Sequence, residues 1–169
     1  TKQIESFMGL EKEYTGTYVL GQTTPSFDLE TLVSEKKDIS GITPDAIALV
    51  IKSLTGKISQ LPPAHSAIKV GGKRAYKFAR KGKEVELKPR EVEVKEFEIT
   101  SLQLPELHFR IVCSKGTYIR SLARDLGEGL GVGAYLSQLC RTRIGQYKLE
   151  NALSIEDVTP TEHADILRP

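Results

Sequence analysis

Ser114-Lys115-Gly116-Thr117-Tyr118-Ile119-Arg120 joins an alternating segment to an amphipathic one, and how it is read decides what fold the 169 residues can adopt. Before it, Leu107, Phe109, Ile111 and Cys113 fall on one face and His108, Arg110 and Val112 on the other, the period of a half-buried strand. After it, Ile119, Leu122, Leu126 and Leu130 recur at helical spacing, so Thr117 is the expected cap and Arg120 lies in the first turn. A strand giving way to a helix is where α/β enzymes place chemistry. A guanidinium there suits a bidentate partnership with a carboxylate or phosphate. The plainer alternative is a surface arginine closing a local salt bridge.

Working outward from that junction, residues 2 to 10 read as a short helix with Ile4, Phe7 and Met8 inward. Tyr14, Gly16, Tyr18 and Leu20 then alternate as a strand ending at Gly21. Gln22 to Glu30, with Pro25, Ser26 and Asp28, is a polar loop. The next helix carries its own punctuation: Thr43 as N-cap, Pro44 at the first helical position, Asp45 at the dipole's positive end, Ile47, Val50, Ile51 and Leu54 on one stripe, and Gly56 as the stop. Leu61-Pro62-Pro63 forces extended backbone. Ala67 to Lys73 reads as a strand with a glycine turn, and Val92, Val94, Phe97 and Ile99 alternate with a change of phase at Lys95-Glu96 that implies a bulge. Leu136, Leu139 and Cys140 are spaced as the inner face of a further helix, followed by a last strand around Ile144 to Leu149. With no regular βαβ rhythm, the expected class is α+β, a mixed and largely antiparallel bent sheet flanked by helices.

Composition narrows the function. The length suits one domain, and 39% hydrophobic residues suffice for a core. No apolar run is long enough for a membrane span or secretory leader, so a soluble, cytoplasmic chain with no membrane partner is expected. Cys113 and Cys140 read as buried, unpaired thiols. The histidines share no ligand spacing with the cysteines, so no metal is expected. The net charge of +2 is unevenly spread: residues 67 to 90 hold nine Lys or Arg against Glu84 and Glu86. Tyr76 and Phe78 are interleaved with those bases, a composition that can track a phosphate backbone, although a solvated basic loop is the simpler alternative.

Two glycine-rich signals fail. Gly129-Leu130-Gly131-Val132-Gly133 follows a helix rather than a strand, against a dinucleotide fingerprint, and Lys115-Gly116-Thr117 has the wrong order for a phosphate-binding P-loop. A set of dispersed motifs does carry a resemblance: Lys12-Glu13-Tyr14 entering a strand that ends Leu20-Gly21; Leu61-Pro62-Pro63-Ala64-His65-Ser66-Ala67-Ile68-Lys69; Tyr76 with Ala79-Arg80; Ser114 to Arg120; and Leu139 with Arg141. In this order, from about residue 1 to residue 158, the chain resembles the TruB family of tRNA pseudouridine synthases.

The resemblance implies isomerisation of a T-loop uridine of tRNA to pseudouridine, without a cofactor. It also implies the pseudouridine-synthase fold and the T-arm stem-loop as partner. It places Tyr14 as the aromatic platform for a flipped base, and Tyr118 and Arg120 in the active site, with Arg120 as the partner of a nucleophilic aspartate. Leu139 becomes the apolar residue beside the base. His65, Lys69, Lys73, Arg74, Lys77, Arg80 and Arg141 become RNA contacts.

Departures from the family are equally specific. Its nucleophile belongs to a glycine-rich Asp motif that does not occur here. Asp28 in the polar loop, Asp125 inside a helical pattern and Asp157 near the tail are poor substitutes. Cys140 stands where bacterial relatives often carry arginine. The expectation is a single partial catalytic domain over residues 1 to 169, lacking an N-terminal part with the nucleophile and without a C-terminal PUA-like domain. The alternatives are a non-catalytic tRNA-binding module or a structural fragment.

Overall fold

The computed structural model describes residues 4 to 79, 81 to 83, 86 to 154, and 156. Its spine is a six-stranded sheet in the order β2-β5-β6-β1-β7-β8, every ladder antiparallel, and a separate hairpin of β3 and β4. In chain order the elements are α1 (Ile4–Met8), β1 (Lys12–Leu20), α2 (Pro44–Ser53), β2 (Gly56–Gln60), β3 (Lys69–Val70), β4 (Lys73–Arg74), α3 (Tyr76–Ala79), β5 (Arg90–Gln103), β6 (Glu106–Cys113), α4 (Ile119–Gly129), β7 (Ala134–Ile144) and β8 (Tyr147–Lys148), with a 3-10 turn at Leu149–Asn151. This is the α+β, largely antiparallel class that the mixed pattern implied.

Alternation builds the core. Tyr18 and Leu20 of β1, with Leu107, Phe109, Ile111 and Cys113 of β6, point to the front of the sheet, where Ile119, Leu122, Ala123 and Leu126 of α4 and Ile47 and Ile51 of α2 cover them. The Tyr18 and Phe109 rings stack at 4.2 Å, and Phe97 meets both edge-on at 6.3 Å. On the back face the polar positions pair instead. Arg110 holds Glu13 at 2.8 Å and Glu96 at 2.6 Å, while Arg143 and Lys95 converge on Glu11 at 2.8 and 2.6 Å.

α2 begins as its sequence requires, with the Thr43 hydroxyl accepting from the Ala46 N–H and Pro44 in the first turn. The bulge expected near Lys95 is present as a register shift between Val94 and Glu96. The Gly71-Gly72 turn closes the β3–β4 hairpin with both residues at positive φ, 55° and 80°.

Five expectations are corrected. Residues 134 to 144 form a strand, not a helix, and Cys140 is exposed rather than buried. The misleading spacing has a mechanical origin. Tyr18 pairs with Leu136, Thr17 with Gln138 and Gly16 with Leu139, so Ser137 is an extra residue bulged out of β7, its hydroxyl donating to the Thr17 carbonyl at 3.1 Å. The bulge brings Leu136 and Leu139, three apart, onto one face, which imitates a helical repeat. Gly16 opposite Leu139 is obligatory, since a Cβ there would collide with the Gln138 carbonyl and the Phe109 ring.

Thr117 is not the cap of α4. Tyr118 occupies that position, and the Thr117 hydroxyl donates to the Ser114 carbonyl at 2.9 Å. Ile4 and Met8 of α1 are exposed rather than packed inward. The last strand expected from Ile144 to Leu149 is shorter, because β7 runs through Ile144, Gly145 turns at φ 55°, and only Tyr147–Lys148 pair back.

Candidate active site

The site is assembled at the first turn of α4. Gln60, only 1% exposed at the end of β2, clamps Tyr118 from both sides: its Oε1 accepts from the Tyr118 N–H at 2.8 Å and its Nε2 donates to the Tyr118 carbonyl at 3.2 Å. The buried Tyr18 hydroxyl donates to the Ile119 carbonyl at 2.9 Å, and the Ser121 hydroxyl donates to the Leu61 carbonyl at 2.9 Å. A helix start that carries no side-chain cap of its own is thereby fixed by β1, β2 and the segment after β2.

Arg120, one residue into the helix, then gathers two loops. Its guanidinium donates to Asp28 Oδ2 at 2.7 Å, to the Ser26 carbonyl at 3.3 Å and to the His65 carbonyl at 2.8 Å. Burial works against the Asp28 carboxylate. The Ser26 hydroxyl, the Glu30 N–H and the Arg120 charge outweigh it and hold the carboxyl below the ordinary aspartate range. The Asp28 carboxyl is therefore ionised at neutral pH.

Beside it lies an open cleft of about 390 Å³, lined by Tyr14, Asp28, Leu29, Tyr118, Arg120 and Leu139 among others. That volume lies within the range of small-molecule sites. Tyr14 lines the cleft half-buried. Desolvation raises the affinity of its phenol for the proton, and Arg141, its register partner on β7, opposes this with a hydrogen bond and its charge. Leu29 and Leu139 remain 59% and 47% exposed, so the cleft offers two apolar side chains with no cover among the described residues.

The structure thus brings Tyr14, Tyr118, Arg120 and Leu139 into one cleft, with Arg141 against Tyr14. His65 joins through its backbone, while its buried Nδ1 has no hydrogen-bond partner among the described residues. Arg74 and Lys77 are exposed on the hairpin and the short helix that follows. That unit is tied to the site loop by the Tyr76 N–H donating to the Ser66 carbonyl at 3.0 Å. Lys69 and Lys73 lie in the hairpin's backbone, whereas their side chains, and Arg80 altogether, lie outside the described residues.

Asp28 has a role as the partner of Arg120 that the sequence does not show. Its loop position was legible, but nothing local points to an arginine 92 residues away. Asp125 pairs with its neighbour Arg124 at 2.6 Å, and Asp157 lies outside the described residues.

With this geometry in view, comparison with known sequences is decisive. Residues 1–119 match the profile of the TruB family pseudouridylate synthase N-terminal domain, and residues 120–167 that of the tRNA pseudouridylate synthase B C-terminal domain. The chain belongs to the TruB family. Its relatives include the tRNA pseudouridine synthase B of Bacteroides fragilis, 52% identical over 90% of this chain, and that of Phocaeicola vulgatus, 50% identical over 92%. The match spans 66% of each of those proteins. The TruB enzyme of Clostridium tetani is 39% identical over all of this chain and 58% of its own length.

Among solved structures, the fold is similar to a chain in the crystal structure of a Cbf5-Nop10-Gar1 complex, with a TM-score of 0.67 and 29% identity, covering 93% of this chain and 37% of that one. It is also similar to a chain of an H/ACA RNP bound to a substrate RNA containing 2'-deoxyuridine, with a TM-score of 0.61 and 25% identity, covering 93% and 36%. The boundary between the two TruB profiles falls inside α4, between Ile119 and Arg120, and β7 beyond it completes the sheet against β1.

Among the described residues no helix is long and apolar enough to cross a membrane.

Proposed function

We propose that this chain forms the base-binding half of a tRNA pseudouridine synthase site acting on a T-loop uridine, with the nucleophilic carboxylate supplied by a segment outside these 169 residues. The observation that carries the reading is the meeting of Tyr14, Leu139 and the ion-paired Arg120 in one cleft.

In the reaction the C1'–N1 bond breaks, the base rotates, C1' bonds to C5, and the proton lost from C5 is balanced by one gained at N1. The product is an isomer and no redox partner or cofactor enters. A base drawn out of a folded loop loses its stacking, and the Tyr14 ring, in a cleft that Leu29 and Leu139 also line, replaces it. Desolvation keeps the phenol neutral in the free chain, so Tyr14 meets the base as an uncharged platform, and Arg141 is the group that eases any proton movement through it. Positive charge building at C1' calls for a nearby carboxylate. Among the described residues lining the cleft, Asp28 alone bears one, and that carboxylate is engaged by Arg120.

Arg74 on the basic hairpin and Lys77 on α3 extend the surface on which a T-arm's phosphates would lie, and together with Arg141 give the chain its proposed RNA contacts. A second reading, a tRNA-binding module without turnover, is favoured for the isolated chain by the same engagement of Asp28. Tyr14→Ala tests the first reading. In an enzyme that joins this chain to the Asp-bearing segment, turnover should be abolished while tRNA affinity stays within a few fold. A large loss of affinity would overturn the platform role.

A further inference from the structure

The loop that carries Asp28 is held in a way its pairing with Arg120 alone does not require. Thr24 and Ser26 are 2% and 0% exposed, yet both are polar, and their hydroxyls converge on one atom: Thr24 Oγ1 donates to the Asp28 carbonyl at 2.6 Å and Ser26 Oγ to the same carbonyl at 3.2 Å. Thr31 closes the loop from the far side. Its Oγ1 accepts from the Ser26 N–H at 3.0 Å and shares a hydrogen bond with Ser26 Oγ at 2.8 Å.

Between them Phe27 adopts φ 62°, a left-handed backbone that a phenylalanine rarely takes. The Phe27 N–H donates to the Thr24 carbonyl at 3.1 Å and its carbonyl accepts from the Leu136 N–H at 3.0 Å. Its ring lies 5.4 Å from the guanidinium of Arg124 on α4. An unfavourable backbone state persists only where its surroundings over-determine it, and here these contacts hold Phe27 while the next side chain meets Arg120.

We propose that the hydroxyls of Thr24, Ser26 and Thr31 form a latch that presents the Asp28 carboxylate to Arg120. These three are then positioning residues of the site. The inference rests on reading the cleft as a pseudouridine synthase site, but the latch itself is measurable without RNA.

The decisive variants remove a hydroxyl while keeping shape. Thr24→Val deletes one latch bond and Thr31→Val two, and Thr24→Ser and Thr31→Ser restore them. In this chain, carbon-13 NMR titration of the Asp28 carboxyl reads the geometry. Both valine variants should raise its midpoint toward the ordinary aspartate range, and both serine variants should return it, while signals remote from the loop stay in place.

In an enzyme carrying the nucleophile, the valine variants should lower kcat about tenfold, the scale of one or two lost hydrogen bonds, with KM within about twofold. Unchanged midpoints would overturn the latch. Raised midpoints with full turnover would uphold the latch and refute the reading of the cleft instead. Should Thr24→Val fail to fold, Thr31→Val, at a less buried position, decides the matter alone.

Discussion

Breaking the Asp28–Arg120 pair should reveal a coupling that a surface ion pair would lack. Two unit charges 4 Å apart interact by about 4 kcal/mol at an effective dielectric of 20. The 2.7 Å contact is tighter, but the two side chains keep 20% and 24% of their surface in solvent, and desolvation offsets much of the gain. A net coupling of about 1–2 kcal/mol is expected, above the ~0.2–1 kcal/mol of exposed pairs.

The cycle uses Asp28→Asn, Arg120→Met and the double variant, each measured by urea unfolding at pH 7. Arg120→Met should cost more than its partner, about 2–4 kcal/mol, because the His65 and Ser26 carbonyls lose their donor as well.

The sign with pH follows from the lowered Asp28 pKa. The unfolded carboxyl titrates near the ordinary value of 3.8, so the pair's contribution is complete above that pH and is lost as pH falls through the lower folded pKa. A coupling below about 0.3 kcal/mol at pH 7, or one that persists at full size in strong acid, would refute the argument.

Other parts of the structure make separate claims. Gln60→Leu leaves the part-buried Tyr118 N–H unpaired, while the Tyr118 carbonyl keeps the Ser121 and Leu122 N–H groups, and should cost about 1–3 kcal/mol in the same urea assay. A loss under about 1 kcal/mol would show that α4 is not anchored there. On the back of the sheet, Lys95 and Arg143 lower the pKa of Glu11. For Glu13, hydrogen bonds from Thr142 and Arg110 outweigh burial and lower it likewise. Both carboxylates therefore contribute stability above the ordinary glutamate value of 4.5 that is lost as pH falls below it. The Tm of Glu13→Gln should fall less steeply than wild type between pH 6 and 3, and parallel curves would contradict this. Reversing Arg74 and Lys77 to Glu should flatten the salt dependence of binding to a T-arm stem-loop by about 1.4–1.8 in log–log slope, and an unchanged slope would remove both as phosphate contacts.

What the sequence made legible was what local periodicity controls. β1 and β6 follow from strict alternation, α2 from its Thr43-Pro44 start, and the first turn of α4 from the apolar repeat that begins at Ile119. The resemblance to the TruB family drew Tyr14, Tyr118, Arg120, Leu139 and Arg141 out of three separate stretches, and the fold places them around one cleft. β7 was hidden because its bulge at Ser137 gives Leu136 and Leu139 a helix-like interval, a phase error visible only once β1 is paired against it. Asp28 was hidden because its significance is tertiary: the carboxylate acquires a partner from α4 and its aim from a left-handed phenylalanine, and neither is written in the spacing of the loop.

The most direct test of the central claim is tritium release from C5-labelled uridine in a T-arm stem-loop RNA, with this chain alone in excess over RNA and then with the same chain joined to a segment bearing the family's Asp motif. The account predicts bound RNA without release in the first case and release in the second. Release by the chain alone would contradict it, since the nucleophile would then be an aspartate within these residues, with Asp28 the first to examine.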